Sequence, residues 1–430
     1  MKNIRVGIIG FGTVGKGVVK NLQKNTGVFS RDFGAPIELV RVVDKDIKTD
    51  RGIKLPEGML VSDVEAIIND ESIDIVVELI GGIEPAKTLI KKALSNGKSV
   101  VTANKALLAE YGEELFKHAG LNNREIFFEA SVGGGIPIIK GLREGLAANR
   151  IFSIYAIING TTNYILSRMK EERVSFKDAL KAAKGEGYAE ADSRLDISGM
   201  DSAHKIVLLS SIASGKWIEL GKVNVEGIEK VEQIDIEYAR ELGFVIKLLA
   251  VYKEKSNGIE VRVNPTMVDD KGMLAAVTGA YNAILLEGDF VGNILYYGLG
   301  AGEKPTASAV VSDILDISRN IISGKSRPFI PDFPNKEKKI IDIGDIRSKY
   351  YFRFTVLDKT GVLSKIAGIL GDNKISIASV IQKGRNKGNA VPIVVLAHKA
   401  YEKDMRRAIG IIDKLDVTKG KTVVYRVGGL

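Results

Sequence analysis

The sequence contains no cysteine. Disulfides, thiolate nucleophiles and thiolate-ligated metals are therefore excluded. Histidine is nearly as scarce: His118, His204 and His398 are the whole set, and no two of them lie four residues apart. A helix-borne histidine metal site and a serine–histidine–aspartate triad are both poor fits. No apolar run reaches the length of a membrane span, so no membrane partner is expected. The opening MKNIRVGIIG runs straight into strand-like sequence, so neither a signal nor a transit peptide is expected and the expected location is the cytoplasm. The chain is basic, with 62 Lys and Arg against 53 Asp and Glu. These cations are dispersed, with no basic arm interleaved with aromatics, so no nucleic-acid partner is expected. Acid–base chemistry is left to lysine, aspartate, glutamate and tyrosine.

At 430 residues the chain is long enough for two or three domains. Its first stretch, IRVGIIGFGTVGKGVVKNLQK, reads as a buried strand, a glycine turn and a helix, with Gly10, Gly12 and Gly15 in the G-x-G-x-x-G spacing. In that context the glycines suit a dinucleotide pyrophosphate lying against a helix N-terminus. A second strand, IELVRVVD, ends in Asp44, an acid placed to take ribose hydroxyls. Lys45, Lys48 and Arg51 follow closely and could instead hold a 2′-phosphate, so NAD and NADP both stay open. Further apolar strands end at Gly81-Gly82 and at Lys105, with helical patterns between them. That alternation predicts a Rossmann-type, doubly wound parallel sheet with ligands at the carboxyl ends of its strands.

From about residue 130 the pattern changes to an α+β one through about residue 305, and GAGEKPTASAVVSDILDISRNI then reads as a loop leading into a helix. Residues 323–349, rich in proline, glycine and charge, read as a linker. Residues 350–430 scan as strand, helix, strand, strand, helix, strand, the ferredoxin-like order.

One stretch inside the second region, GEGYAEADSRLDISGMDSAHK, gathers Glu186, Glu190, Asp192, Asp196 and Asp201 ahead of Lys205. Asp201 and Lys205 stand at i and i+4 of a predicted helix. A surface ion pair would be the plain explanation. The helix continues as IVLLSSIA, too apolar for a solvated face, and the loop carries more acid than one lysine needs. A carboxylate patch suits a cationic substrate group, and a desolvated lysine near a second ammonium can act as a base. Lys105 is the candidate for that second ammonium; its alternative is an ordinary surface lysine.

In order along essentially the whole chain, GFGTVG, ELIGG, TANK, EASVGGGIP, NGTTNYIL, GYAEADSRLDISGMDSAHK and GAGEKPTASAVVSD resemble the homoserine dehydrogenase family. The terminal unit with DKTGVL is similar to an ACT domain, a small-ligand regulatory module. The resemblance implies a dinucleotide-binding domain over 1–130, completed by 306–322, a catalytic and dimerisation domain over 131–305, and a regulatory domain over 350–430. It implies reversible NAD(P)-dependent interconversion of L-homoserine and L-aspartate 4-semialdehyde, in threonine, methionine and isoleucine biosynthesis. Carried over by motif, Lys205 is the acid/base and Lys105 its proton partner. Glu190, Asp196 and Asp201 hold the amino acid, with Thr161, Tyr188 and Gly187 beside it. The turn Gly10, Phe11, Gly12, Thr13, Val14 and Gly15, together with Asp44, Lys45, Gly81, Thr102, Lys105, Gly302 and Glu303, is implied for the dinucleotide. Glu129 and the carbonyls of Val132, Gly134 and Ile136 are implied for a monovalent cation, sodium. Asp358, Thr360 and Gly361 are implied for an amino-acid effector, with L-threonine the natural hypothesis and pure assembly the alternative. A homodimer or higher homo-oligomer is expected.

The chain departs from many members at Ser193, where they carry proline after the AD of the acidic loop. Three other functions compete, one of them another lysine-dependent dehydrogenase of an amino acid, separable by a panel of hydroxy- and oxo-substrates. An acylating semialdehyde dehydrogenase would share substrate and cofactor, but it needs a thiol that this chain lacks. A catalytically inactive nucleotide- and amino-acid-binding sensor would keep the folds without needing Lys105, Lys205 and the acidic loop, all of which are present.

Overall fold

The computed structural model describes residues 3–33, 36–324, 333, 337–383 and 389–429. Six strands form the first sheet: β1 (Ile4–Ile9), β2 (Ile37–Val43), β3 (Leu60–Val61), β4 (Ile75–Glu78), β5 (Ser99–Thr102) and β6 (Ile126–Phe127). All pair in parallel, in the order β3-β2-β1-β4-β5-β6. Strands covered by helices on both faces need apolar residues on both, which is why β4 and β5 are buried along their whole length. The order reverses beside β1, the topological switch point where such sheets open a ligand crevice. The helix Glu303–Ser323 returns from the second region to this sheet. Its Ala307, Val310, Ile314 and Ile317 share a core with Ile4, Val6 and Ile8.

The second sheet has ten strands: β7 (Ile151–Ile157), β8 (Asn224–Val225), β9 (Phe244–Lys255), β10 (Gly258–Asp269), β11 (Tyr281–Gly288), β12 (Gly292–Leu299), β13 (Arg347–Leu357), β14 (Ile377–Gln382), β15 (Ala390–Tyr401) and β16 (Val423–Val427). Its order is β12-β11-β7-β9-β10-β16-β13-β15-β14, with β8 also pairing β10. Helices Gly160–Glu172 and Met200–Ser214 share the main core with β9 and β10 through Ile165, Ile206, Leu248 and Val263. β13 to β16 carry helices Val362–Asp372 and Glu402–Ile412 over a separate core of Tyr350, Phe352, Phe354 and Ile366. That is the ferredoxin-like unit.

Two features of this sheet were not expected. The terminal unit is not merely tethered: Thr266 and Met267 of β10 pair in parallel with Arg426 and Val427 of β16, so one sheet runs through both regions. A buried ionic knot backs the joint. Asp235, on helix Gln233–Glu241, accepts from Arg353 Nε (2.6 Å) and Nη2 (3.0 Å) and from the Tyr351 hydroxyl (3.0 Å). Within the expected linker 323–349, the described residues 337–349 are structured. Residues 325–332 and 334–336 lie outside the described residues, but Ile340 bridges Ile259 and β13 already begins at Arg347.

Candidate active site

A cleft of about 820 Å³ opens between the two sheets, where the carboxyl ends of the parallel strands face the acidic loop. Its catalytic wall is built by three local devices. β7 ends at Ile157, and Asn159 caps the next helix by accepting from the Thr162 N–H (2.8 Å). Gly199, at φ +84°, turns the acidic loop into helix Met200–Ser214, which places Asp201 in the first turn and Lys205 one turn later on the same face. Asn104 caps helix Lys105–Leu121 through the Leu107 N–H (3.2 Å), which sets Lys105 at the end of β5.

These devices converge on one carboxylate. Asp201 Oδ2 accepts from Lys205 Nζ (2.6 Å), and Asp201 Oδ1 faces Lys105 Nζ (3.1 Å). Lys205 Nζ also donates to the Ile158 carbonyl (2.6 Å). An ammonium has three protons, so these two bonds leave Lys205 one donor beyond them. Asn159 Nδ2 donates to both Asp201 Oδ2 (2.9 Å) and Asp196 Oδ1 (2.7 Å), fixing the second acid beside the first.

The environment pushes the two lysines apart. Burial lowers the Lys205 pKa from 10.5; Asp201 pulls it back up, and the Lys105 charge adds to the lowering. Lys105 is more open, with its side chain 41% exposed, and the Asp201 charge raises its pKa. Burial acts to raise Asp201, but the two ammonium groups outweigh it and hold the carboxyl well below its usual range. Asp196 goes the other way, raised first by its burial. Titratable neighbours driven in opposite directions make this cluster a candidate acid–base site.

The other residues implied for the substrate also border the cleft. Glu190, Gly187 and Tyr188 stand at its exposed rim, and the Thr161 hydroxyl donates to the Tyr188 carbonyl (2.6 Å). Two acids of the patch behave differently. Glu186 turns away to pair with Arg168, outside the cleft, and Asp192 is held by Arg194 (2.6 Å). They balance local arginines and do not converge on Lys205. Asn159 and the Ile158 carbonyl had not been singled out. An asparagine followed by glycine at a strand-to-helix turn was the available signal.

On the dinucleotide side, Val14, Gly81, Lys105 and Gly302 border the cleft. A Cβ on Gly15 would stand 2.1 Å from the Gly10 carbonyl oxygen, while one on Gly12 would meet nothing within 4 Å. The turn is thus closed behind and open in front of helix Thr13–Phe33, a cradle that fits a pyrophosphate. Asp44 stands at the end of β2, but its carboxylate is already engaged. It accepts from the Phe11 N–H (2.6 Å) and lies 3.3 Å from Arg51, whose guanidinium is 5.1 Å from the Phe11 ring centre. Lys45 follows Asp44 in the same turn. Thr102 is fully buried and spends its hydroxyl on Glu78 (2.6 Å), and Glu303 points its carboxylate at Lys16 and Lys20 on the first helix (3.0 and 2.7 Å). Neither of those side chains faces the cleft.

Glu129, Val132, Gly134 and Ile136 lie together in one tight turn, but the Glu129 carboxylate caps the next helical turn by accepting from the Ile139 and Lys140 N–H groups (2.8 and 2.7 Å). Among the described residues no three acidic or histidine side chains cluster as a metal site. At the far end of the molecule Asp358, Thr360 and Gly361 line a separate cleft of about 330 Å³ with Gln382 and Ile393, at the start of helix Val362–Asp372. Among the described residues no helix is long and apolar enough to cross a membrane.

Comparison with known proteins agrees with this architecture. The homoserine dehydrogenase family model matches residues 137–315, its NAD-binding domain 10–129, and the ACT domain 350–415. A homoserine dehydrogenase of Neisseria gonorrhoeae is 44% identical over 434 residues, spanning 100% of both chains. The crystal structure of a homoserine dehydrogenase from Thiobacillus denitrificans, also 44% identical, superposes with a TM-score of 0.94 over 100% of this chain and 99% of that one. A hyperthermophilic archaeal homoserine dehydrogenase in complex with NADPH covers 73% of this chain and 97% of its own, at 28% identity and a TM-score of 0.63.

Proposed function

This chain belongs to the homoserine dehydrogenase family of NAD(P)-dependent oxidoreductases, and from that premise we propose a lysine acid–base mechanism centred on Asp201. The observation that carries it is the pair of lysines on one carboxylate, with Lys205 the desolvated member. When bound in the Gly10–Gly15 cradle, the dinucleotide supplies the hydride acceptor or donor.

In the oxidative direction neutral Lys205 takes the proton of the L-homoserine hydroxyl as hydride leaves the same carbon. In the reductive direction protonated Lys205 returns a proton to the carbonyl oxygen of L-aspartate 4-semialdehyde. Lys105, protonated while Lys205 is neutral, keeps Lys205 easier to deprotonate; as proton partner it gives its own proton to solvent as Lys205 gains one. Asp196 and Glu190 attract the ammonium of the amino acid, and Asn159 keeps Asp196 and Asp201 in register. Thr161 and Gly187 shape the rim, with Tyr188 stacked on Tyr164 (centroids 4.6 Å apart).

A monovalent cation in the Glu129 turn would be held by backbone carbonyls, those of Val132, Gly134 and Ile136, since the Glu129 carboxylate is already used; no step of the mechanism runs through it. An amino-acid effector, L-threonine first, belongs in the cleft of Asp358, Thr360 and Gly361, and a homodimer completes the reading. The test is absorbance at the reduced-nicotinamide band with L-homoserine and each dinucleotide in turn. Homoserine-dependent reduction supports the proposal. Silence with both cofactors, at alkaline pH and with sodium present, would favour a sensor without turnover.

A further inference from the structure

The back of the acidic loop is held by the terminal unit, and we infer that Glu226, tied down by Arg426, is a positioning residue for the carboxylates of the cleft. This rests on the homoserine reading and goes beyond it, because neither residue borders the cleft.

Arg426 sits on β16 with its side chain 5% exposed, and its guanidinium spans two carboxylates. Within its own unit it donates to Glu402 Oε1 (2.7 Å) and Oε2 (3.2 Å), and Glu402 also accepts from the Tyr350 hydroxyl (2.9 Å). Outside its unit it holds Glu226, Nη1 to Oε2 and Nη2 to Oε1, each at 3.0 Å. An exposed single-contact ion pair would do little. A buried guanidinium gripping a carboxylate through two parallel bonds fixes its direction as well as its distance.

The backbone around Glu226 in turn holds the acidic loop. The Glu226 N–H donates to the Val263 carbonyl on β10 (2.8 Å), and the Ile228 N–H donates to the Ile197 carbonyl (2.8 Å). Between them Gly227 presses so closely that a Cβ there would stand 2.2 Å from the Ile197 oxygen and 2.7 Å from Ser198 Cα. Ile197 and Ser198 are the residues between Asp196 and Gly199, where the helix bearing Asp201 and Lys205 begins. Residues 226–228 therefore brace the segment between Asp196, which faces the substrate ammonium, and the helix that carries Asp201 and Lys205. The Gly10–Gly15 cradle belongs to the other sheet, which this contact does not reach. A displacement of β16 by an occupant of the terminal unit would thus register as altered homoserine affinity and leave dinucleotide affinity alone.

The test uses the full chain carrying Glu226→Gln, which keeps Arg426 on Glu402 and alters a side chain 39% exposed, so no core cavity is made. L-homoserine is titrated calorimetrically into protein loaded with reduced dinucleotide, a pair that cannot turn over. The expected result is a Kd for L-homoserine weakened about fivefold or more, with dinucleotide Kd and Tm unchanged. Gly227→Ala, which pushes on Ile197 from the same place, is expected to weaken the same ligand. An unaltered homoserine Kd in Glu226→Gln would overturn the inference. So would loss of both ligands together with a lowered Tm, the mark of a merely structural contact. Wild-type protein that binds homoserine without oxidising it would sink the mechanism above and leave this inference standing. Wild-type protein that does not bind homoserine would sink both.

Discussion

Lys105 and Lys205 share a single carboxylate, one on each oxygen of Asp201, although they stand on different helices and lie a hundred residues apart in sequence. The Asp201 charge favours both ammonium groups, but burial outweighs it at Lys205. The buried lysine is thus the one able to lose its proton. Lys205→Ala is therefore expected to lower the rate of homoserine oxidation by about a hundred- to ten-thousandfold while dinucleotide affinity stays near wild type. Stopped-flow hydride transfer together with a fluorescence titration of the reduced dinucleotide would check both halves. Joint loss would make Lys205 a structural residue.

The same pair fixes the sign of the pH dependence. The base must be neutral, so homoserine oxidation should rise with pH through an inflection below 10.5, because burial lowers Lys205. Lys105→Met removes a positive charge that contributes to the lowering, so the inflection of the residual activity should move to higher pH. A kcat–pH profile of the two proteins decides it; a shift to lower pH would contradict the assignment.

Cofactor choice is expected to turn on Arg51. With Asp44 taken up by the Phe11 N–H and by Arg51 itself, a cation lies where a 2′-phosphate would arrive. Arg51→Ala should lower the NADP-linked kcat/KM by roughly tenfold, as expected for one charged hydrogen bond, and the NAD-linked value by less. Equal losses with both cofactors would assign Arg51 to holding Asp44 alone.

Much of this site was legible because it is local. The glycine turn, the strand ends and the i,i+4 step from Asp201 to Lys205 follow from spacing alone. The approach of Lys105 to Asp201 was legible only as a possibility, since it depends on how two sheets meet. Glu186 and Asp192 show the opposite failure: proximity in sequence suggested a common target, yet each is turned to its own arginine by a loop whose direction spacing does not fix. The pairing of β10 with β16 joins residues too distant in sequence for any periodicity to announce it.

Buried charge at that joint should be costly to break. Arg353→Met leaves Asp235 fully buried without its cation and should destabilise the chain by about 3–5 kcal/mol. The double variant with Asp235→Asn should recover part of the loss, because an amide needs no counter-charge. Denaturant melts of the single and double variants give the comparison, and additive losses would refute the coupling.

Lys247 makes a separate prediction about stability. It is buried among the Asn163 side chain and the Val277 carbonyl, and burial lowers its pKa to about 8. Between there and 10.5 the unfolded chain holds a proton that the folded one has released, so stability rises with pH. Relative to Lys247→Met, the wild type should gain about 3 kcal/mol across that interval. Paired melts at neutral and alkaline pH would show it, and parallel curves would mean that the lysine titrates normally.

Pro265 gives the seam between the two regions a further meaning. It lies on β10 between Arg262 and Val263, which pair with β8, and Thr266 and Met267, which pair with β16. Having no N–H, it divides the outer margin of β10 into two separate landing places. A chain ending before Arg347 would bare only the second of them, two residues long and too brief a margin to recruit a strand from another molecule. The terminal module thus fills a short vacant place on a sheet that already stands, and its removal would not make the remaining sheet a seed for fibres.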